Sequence, residues 1–502
     1  MMPSDAAAGS FAKSTPDAQA AVPLCVDLDG TLTAGDTSWE AFLLLAKHRP
    51  LDLFRVPGWL SKGRGYLKDQ IFQRVMPDAA HFPYRQDLLQ MLRAMKNEGV
   101  RLVLATGSDR RMAAAVADHL GIFDEYIASD GVTNMTRGHK LAELERRFGP
   151  RGFDYIGNSA QDIVLWKGAR CSYVVAASPS VLKEARAVCQ PTRIFEYPQT
   201  GWRAALRAMR PHQWVKNLLI FVPLLLAHQL HDLNRIRAVL YAFWSFSACA
   251  SAIYLINDLL DIEADRRHSR KRFRPFAAGT LGIPAGFVLS LILLVCALAI
   301  GAADSRAFLR DLILYLVVTI AYSFWLKRLL LVDVIILAAL YTLRIIAGAD
   351  AAAVELTMWL LAFSMFLFVS IAFAKRYAEL IEIEEAGEVD AKGRAYRVTD
   401  LRIIESVGPA SGYLAVMVFC NYLDSASSNV GRLYPHPHLL WLVAPIILYW
   451  ITRIWFIARR GELDQDPIVF AIRDNRSYFC GLLAVLIVLA ASWSHALPFL
   501  GQ

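Results

Sequence analysis

The stretch NDLLDIEADRRHSRKRFRP, residues 257–275, decides the interpretation of the second half of the chain, because it joins an apolar run to a string of charges. The apolar run 238–256 predicts a membrane helix. If that helix continued, Asp258, Asp261 and Asp265 would lie on one stripe with Asn257 beside it. Carboxylates clustered at a membrane boundary predict a Mg²⁺ site, and such sites usually also hold substrate phosphates. The alternative is a solvated helix end with ordinary interfacial ion pairs.

Composition places the chain among membrane proteins. It has 502 residues, of which 56% are hydrophobic, and a net charge of +8. This composition is too apolar for an average soluble protein. Basic residues cluster beside apolar runs, which indicates anionic lipid, phosphorylated substrates and membrane topology, and not nucleic acid. The seven cysteines are scattered without a CxxC pair, so neither a zinc site nor a disulfide framework is indicated.

The pattern changes near residue 205 and predicts three parts. Residues 1–21 have no apolar core and are expected to form a flexible tail, without a signal peptide. Residues 22–200 predict a soluble α/β domain with a small helical cap at about 36–95. Residues 205–502 predict an all-α membrane domain with about nine spans, near 215–230, 236–258, 281–303, 309–326, 329–349, 355–374, 405–424, 438–458 and 478–497.

Lysine and arginine are dense after the second, fourth, sixth and eighth predicted spans, and sparse in the other loops. By the positive-inside rule these four loops and the soluble domain are cytoplasmic, while the C-terminus lies outside. Chemistry is therefore expected in the four basic loops of an integral membrane protein of the bacterial inner-membrane type.

The soluble domain opens with a buried-strand pattern, VPLCV, that leads into DLDGTLT, residues 27–33. Two aspartates at the carboxyl end of such a strand lie in the crevice where open α/β sheets bind ligands. One of the two carboxylates can attack phosphorus while the other handles the leaving-group proton.

These residues resemble the haloacid dehalogenase (HAD) phosphatases, whose first motif is DxDGT. The segments RLVLATGS at 101–108, GHKL at 138–141 and YIGNSAQD at 155–162 follow in the order of that family's motifs. The resemblance implies that Thr106 and Lys140 bind phosphate. It also implies a Mg²⁺ ion held between Asp27, the Asp29 carbonyl, and Asn158 or Asp162.

Asn158 departs from the family pattern, because an aspartate is usual at that position. An amide oxygen can bind Mg²⁺ but adds no negative charge, so reduced metal affinity or activity is expected. The alternative is a HAD fold kept as a scaffold without turnover.

In the membrane domain, Arg344 interrupts an apolar helix, and this predicts either a site residue or a structural pair with Asp333 or Asp350. Lys375 and Arg376 predict phosphate ligands or interfacial anchors. Asp464 and Asp466 lie in a further polar loop and are interpreted as ligands or as solvated charges.

Three segments resemble the UbiA superfamily of intramembrane prenyltransferases, and within it the decaprenyl-phosphate phosphoribosyltransferases: RPHQWVKN at 210–217, residues 257–279, and KRYAEL at 375–380. The resemblance implies that Asp258, Asp261 and Asp265, supported by Asn257, hold Mg²⁺ and a diphosphate. The residues that it implies for binding the phosphorylated substrates are Lys216, Arg272, Arg274, Lys327, Arg344, Lys375, Arg376 and Tyr377.

The function implied is Mg²⁺-dependent transfer of 5-phosphoribose from phosphoribosyl diphosphate to a polyprenyl phosphate, with Asp258 and Asp261 central to catalysis. The HAD domain is expected to remove the 5′-phosphate with Asp27 and Asp29. Two alternatives stay open. One is prenyl transfer from a prenyl diphosphate to an aromatic acceptor, although the second DxxxD motif of such enzymes is absent. The other is a membrane-tethered phosphatase with an inactive anchor.

Overall fold

The structure is a computed structural model that describes residues 22–176, 178–197, 201–387, 394–425, 430, 434–463 and 467–493. The predicted tail, residues 1–21, and the loop residues Asp464 and Asp466 lie outside these ranges. Contacts divide the chain into two compact units. The first comprises the residues up to Ala205 together with Asp258–Ala285, and the second comprises Leu206–Asn257 and Gly286–Gln502.

A parallel six-stranded sheet forms the centre of the first unit, in the order β3-β2-β1-β4-β5-β6. Strand β1 pairs with β2 and β4, which places it in the middle of the sheet. The strands are β1 Leu24–Val26, β2 Leu102–Asp109, β3 Glu125–Ser129, β4 Asp154–Gly157, β5 Ser172–Val175 and β6 Arg193–Phe195. This is the open α/β architecture that the alternating pattern predicts, and its ligand crevice lies at the carboxyl end of β1.

Helices cover both faces of the sheet, because successive strand side chains point to opposite sides. Leu24 and Val26 pack in one hydrophobic cluster, while Cys25 packs in another. The helices of this unit before residue 201 are α1 Thr37–His48, α2 Val56–Leu60, α3 Arg64–Phe72, α4 Gln86–Asn97, α5 Arg110–Leu120, α6 Gly138–Phe148, α7 Ile163–Gly168 and α8 Pro179–Val188. Two 3₁₀ helices, Pro50–Arg55 and Ala79–His81, lie among α1 to α4 between β1 and β2.

The rest of the described chain is helical. Its helices are α9 Gly201–Met209, α10 Val222–Leu226, α11 Leu233–Leu260, α12 Ile262–Arg267, α13 Ile283–Asp304, α14 Arg306–Phe324, α15 Val332–Ala352, α16 Met358–Glu385, α17 Leu401–Asp424, α18 Val443–Arg459, α19 Pro467–Arg473 and α20 Asn475–Ser492.

Eight helices in the described ranges are long and apolar enough to cross a membrane. They agree with eight of the nine predicted segments. The first predicted segment, 215–230, is not one long helix but a 3₁₀ helix, Pro211–Phe221, followed by α10. At about 2.0 Å per residue for the 3₁₀ helix and 1.5 Å for α10, these pieces supply about 30 Å of length. Pro223 lies in the first turn of α10, where its missing backbone donor is tolerated.

Close backbone packing fixes the 3₁₀ helix against α15. A Cβ atom added at Gly348 would lie 2.0 Å from the carbonyl oxygen of Ile220. Only glycine therefore allows the two backbones to approach this closely.

We expect Gly348→Ala to destabilise the second unit by about 1–3 kcal/mol, because the added methyl group forces two backbones apart. The measurement is the apparent unfolding temperature in detergent, followed by tryptophan fluorescence. Gly481→Ala in α20 is the matched control, since nothing lies within 4 Å of its added Cβ atom. Equal unfolding temperatures for Gly348→Ala and the wild type would contradict this packing.

Candidate functional site

A buried polar chain lies at the carboxyl end of β1. The Lys140 Nζ atom of α6 donates to Asp27 Oδ1 at 2.8 Å and to the Tyr155 hydroxyl oxygen at 3.0 Å. The Tyr155 hydroxyl donates in turn to Asp162 Oδ1 at 2.9 Å. The structure therefore brings together Asp27, Lys140 and Asp162, which are three of the residues predicted from the HAD motifs.

Burial controls the charges in this chain. Burial raises the pKa of Asp27, although Lys140 opposes that shift. Burial also disfavours the Lys140 ammonium, but the charges of Asp27 and Asp162 more than offset this effect and raise its pKa. The lysine therefore stays positive beside the nucleophile candidate, where it can offset the charge of an incoming phosphate.

Asp29 is held by the first turn of α1. The backbone N–H of Thr37 donates to Asp29 Oδ1 at 2.8 Å. Burial, followed by the nearby charge of Asp36, raises the pKa of Asp29 to about 7. A carboxyl group with this pKa can both give and take a proton near neutral pH, as a general acid and base requires.

Thr106 lies within β2, the predicted phosphate-binding strand, and is fully buried. Its hydroxyl oxygen accepts a hydrogen bond from the Ser108 N–H at 3.0 Å. The Ser108 hydroxyl shares a 2.7 Å hydrogen bond with the Thr37 hydroxyl. The carboxyl-terminal part of β2 is therefore tied to the start of α1 through Ser108 and Thr37.

Asp162 holds the fourth motif in place. Its Oδ2 atom accepts from the backbone N–H groups of Asn158 at 3.1 Å and Ser159 at 2.9 Å, and from the Ser159 hydroxyl at 2.9 Å. Asn158 packs over Gly30, whose φ is +75° and whose added Cβ would lie 2.2 Å from Asn158 Nδ2. A glycine at position 30 is therefore required both by the backbone conformation and by the amide above it.

The chemistry of these donors fits one divalent cation with few carboxylate ligands. Asp27 supplies a buried carboxylate, Asp29 a backbone carbonyl and Asn158 an amide oxygen, all of which are oxygen ligands that Mg²⁺ accepts. Asp162 accepts four hydrogen bonds from the protein and so orients Asn158. Its predicted role as a metal ligand stays a prediction. Throughout the ranges that the structure describes, no group of three His, Cys, Asp or Glu side chains is arranged to hold a metal.

Lys68 of α3 is a further cation at this site that the sequence analysis missed. Its Nζ atom donates to the carbonyl oxygen of Gly107 at 2.5 Å. Burial lowers its pKa, while the charges of Asp29 and Asp36 oppose the shift. A single lysine on a charged cap helix carries no distinctive sequence signal, and the nearby Lys62 instead lies over the Tyr66 ring.

The aspartate-rich segment, residues 257–279, does not place its three predicted metal-binding aspartates on one continuous helical stripe. Helix α11 ends at Leu260, and Asp261 is the N-cap of α12, with φ −104° and ψ 10°. Arg274 Nη1 lies 3.3 Å from Asp258 Oδ1 and 2.8 Å from Asp265 Oδ2. Asp261 instead accepts from Lys47 Nζ at 3.1 Å. The expectation of a single stripe was therefore wrong for Asp261, because the helix breaks at this residue.

Asp258 and Asp265 nevertheless point their oxygens at one cationic nitrogen. The position of the Arg274 Nη1 atom is therefore lined by carboxylate oxygens of both residues, and such oxygens are the ligands that a divalent cation accepts. The donor set therefore fits Mg²⁺ through these two residues. In the conformation described, Asp261 points towards Lys47 and does not share that point.

In the second unit, Arg344 is buried among neutral partners. Its Nε atom donates to Asn217 Oδ1 at 2.9 Å, its Nη1 atom to the Leu340 carbonyl at 2.5 Å and its Nη2 atom to the Tyr315 hydroxyl oxygen at 3.1 Å. The expected alternative, a structural pair with Asp333 or Asp350, was wrong. Each of these aspartates pairs with another arginine.

Arg376 is the centre of a second buried network. It is 1% exposed, and its guanidinium donates to Asp333 at 2.6 Å, to the Tyr322 hydroxyl oxygen at 3.1 Å and to Glu379. The Tyr396 hydroxyl also donates to Asp333, at 2.8 Å. Arg376 therefore ties α15 and α16 together, and its predicted role in phosphate binding stays a prediction.

Other predicted residues of the second unit occupy varied positions. Tyr377 is buried and its ring packs edge-on against Trp455, a core contact. Asn257 donates to the Ser323 hydroxyl oxygen at 3.2 Å. Lys216 Nζ lies 5.9 Å from the Tyr341 ring centroid, near Arg344. Lys327 lies in the 3₁₀ helix Leu326–Arg328, and Lys375 lies in α16.

The positions of Lys68 and Lys140 predict an anion site in the first unit. We expect Lys68→Met to weaken binding of orthovanadate, a phosphate analogue, roughly tenfold, because one hydrogen bond to a charged group is lost. Isothermal titration calorimetry measures this affinity. Lys62→Met, on the same cap, should bind as the wild type does. Equal affinities for Lys68→Met and Lys62→Met would rule out this role for Lys68.

Comparison with known proteins gives a consistent result for both parts. The model of the UbiA prenyltransferase family matches residues 218–472, about half of the chain. The model of haloacid dehalogenase-like hydrolases matches residues 24–166.

Three relatives illustrate the similarity. An uncharacterized protein, y4nM, of Sinorhizobium fredii is 35% identical over 476 residues, which cover 93% of this chain and 91% of the relative. Nodulation protein NoeC of Azorhizobium caulinodans is 36% identical over 290 residues, with coverage of 56% and 92%. Decaprenyl-phosphate phosphoribosyltransferase of Corynebacterium glutamicum is 35% identical over 234 residues, with coverage of 46% and 70%.

The matches agree with the structure. The parallel sheet with its pair of Asp27 and Lys140 corresponds to the hydrolase match, and the long apolar helices correspond to the prenyltransferase match. The chain is an integral membrane enzyme of the UbiA prenyltransferase family that carries an N-terminal haloacid dehalogenase-like hydrolase domain.

Proposed function

We propose that the enzyme transfers 5-phosphoribose from phosphoribosyl diphosphate to a polyprenyl phosphate, and that its hydrolase domain then removes the 5′-phosphate. The observation that carries the first step is the likeness to the Corynebacterium glutamicum decaprenyl-phosphate phosphoribosyltransferase, at 35% identity over 234 residues. The convergence of Asp258 and Asp265 on one cation position supports it.

The transfer step exchanges one bond at C1 of ribose. The C1–O bond to diphosphate breaks, the diphosphate leaves with the electron pair, and an oxygen of the lipid phosphate bonds to C1. The lipid phosphate is already an anion, so no residue of the chain has to act as a strong base. Mg²⁺, held by Asp258, Asp265 and after rearrangement Asp261, would neutralise the leaving diphosphate.

The basic residues predicted from the sequence remain candidates for holding phosphate groups of the two substrates. Arg272 and Arg274 lie in the first unit. Arg344 in the second unit has a buried guanidinium with neutral partners, so its positive charge is available to an anion. Lys216, Lys327 and Lys375 carry further positive charge, and the scarcity of carboxylates in KRYAE favours a phosphorylated acceptor over an aromatic acid.

The second step is assigned to the residues around Asp27. Its carboxylate attacks the 5′-phosphorus, and Asp29 protonates the departing ribose oxygen. Water then hydrolyses the aspartyl phosphate while Asp29 takes up its proton, so phosphate is released and both residues are restored. Lys140 and Lys68 offset the phosphate charge, and Mg²⁺ would be held by Asp27, the Asp29 carbonyl, and Asn158 or Asp162.

The charge distribution supports placing both reactions at the cytoplasmic face of a bacterial-type inner membrane. The basic loops favour that side by the positive-inside rule. The phosphoribosylated lipid would then form on the side where the hydrolase domain resides.

Substitutions separate the two steps. With Mg²⁺, polyprenyl phosphate and phosphoribosyl diphosphate, we expect Asp27→Asn to form the lipid adduct but to release no inorganic phosphate from it, because the nucleophile is lost. We expect Asp261→Asn to lose at least tenfold in adduct formation, about 1.4 kcal/mol, while it keeps hydrolysis of a small phosphomonoester. Thin-layer chromatography of radiolabelled lipid and a phosphate assay measure the two products.

Two control variants match these changes. Glu263→Gln removes a partly exposed carboxylate from the same segment as Asp261, where it pairs with Arg267. Glu143→Gln removes a partly exposed carboxylate that pairs with Arg146. Both should retain both activities. Transfer of a prenyl group from a prenyl diphosphate to an aromatic acceptor, without any ribosylated lipid, would instead favour the alternative reaction. Phosphate release by Asp27→Asn at the wild-type rate would disprove the assigned nucleophile.

A further inference from the structure

A buried ion pair connects the first cap helix to the aspartate-rich segment within the first unit. Arg266 of α12 donates from Nη1 to Glu40 Oε2 and from Nη2 to Glu40 Oε1, each at 2.7 Å. Both side chains are 7% exposed. A bidentate pair removed from water in this way fixes the orientation of both groups.

Arg266 also closes the basic loop that follows it. Its Nε atom donates to the Ala277 carbonyl oxygen at 3.0 Å. The loop between these residues contains Arg274, which holds Asp258 and Asp265. The position of the two carboxylates therefore depends on a loop whose ends Arg266 holds together.

Two further contacts connect the region around α1 to the same segment. Lys47 Nζ donates to the Leu260 carbonyl at 2.8 Å, at the end of α11. Gly279 has φ +68°, and its added Cβ would lie 2.7 Å from Ala34 Cβ. Residues 34–47 therefore contact the segment at its beginning, at its middle through Arg266, and near its end.

We propose that Glu40, a residue of the hydrolase domain, is a positioning residue for the transferase reaction. This inference rests on the proposed transfer to polyprenyl phosphate. Without the Glu40 carboxylate, the Arg266 guanidinium would be buried with no counter-charge, so it would move toward water and release the Ala277 carbonyl. The loop that carries Arg274 would then no longer hold Asp258 and Asp265 in register for Mg²⁺ and the diphosphate.

Glu40 is distinct from the residues assigned to hydrolysis. The contact between α1 and Asp29 uses the backbone N–H of Thr37, one turn before Glu40, and does not involve the Glu40 side chain. A change at Glu40 should therefore affect transfer more than hydrolysis.

The test compares Glu40→Gln, Arg266→Gln and the double variant in the full-length protein. We expect each single variant to raise the KM for phosphoribosyl diphosphate, and the Mg²⁺ concentration for half-maximal rate, at least tenfold. The KM for polyprenyl phosphate should change less than twofold. The double variant should be no worse than either single variant, because the residues act as one pair. Glu143→Gln is the control of equal charge change, and hydrolysis of a small phosphomonoester should stay within twofold of wild type.

Glu40→Asp guards against a general effect on folding, since it keeps the charge and should recover part of the transfer activity. If the wild-type protein forms no ribosylated lipid, the proposed function is wrong, and the inference about Glu40 is wrong with it. If the wild type forms it and Glu40→Gln has the same KM for the diphosphate, the inference is overturned. It is also overturned if transfer and hydrolysis fall together in both Glu40→Gln and Glu40→Asp.

Discussion

The Asp27 carboxylate and the Lys140 ammonium lie 2.8 Å apart and are both largely buried, so each charge compensates the other. The same constraint applies at Glu40 and Arg266, and at Asp333 and Arg376. Each pair anchors a polar segment that apolar packing could not orient. The pocket around Asp27, the aspartate-rich segment and the junction of α15 with α16 all depend on such compensated charges.

Arg344 shows the other outcome of that constraint. It is 5% exposed, and its hydrogen-bond partners among the described residues are neutral groups. An arginine buried in an apolar helix usually pairs internally or lines a site, and the binding of substrate phosphate by Arg344 stays a prediction. Arg376, by contrast, donates hydrogen bonds to two carboxylates and a hydroxyl group, and its ion pair with Asp333 connects α16 to α15. Two arginines that look alike in sequence therefore differ in what their surroundings leave them free to do.

The sequence predicted the elements that depend on local pattern. The apolar run before Asp27, the strand that contains Thr106 and the long apolar segments had clear signals, and the structure agrees with them. The sequence could not predict the helix break at Asp261, because the residues around Asp261 have an ordinary helical pattern. Nor could it predict the pair of Glu40 with Arg266, which are 226 residues apart. Lys68 and the partners of Arg344 were missed for the same reason, since tertiary contacts alone give these side chains their roles.

Mass spectrometry of the lipids made by the purified wild-type protein is the most direct test of the proposed two-step reaction. The protein would receive polyprenyl phosphate, phosphoribosyl diphosphate and Mg²⁺, and be sampled over time. We expect an adduct that first carries the 5′-phosphate and then loses it, with equal release of inorganic phosphate. Absence of any ribosylated lipid would contradict the transferase assignment, and an adduct that keeps its 5′-phosphate throughout would contradict the role given to Asp27.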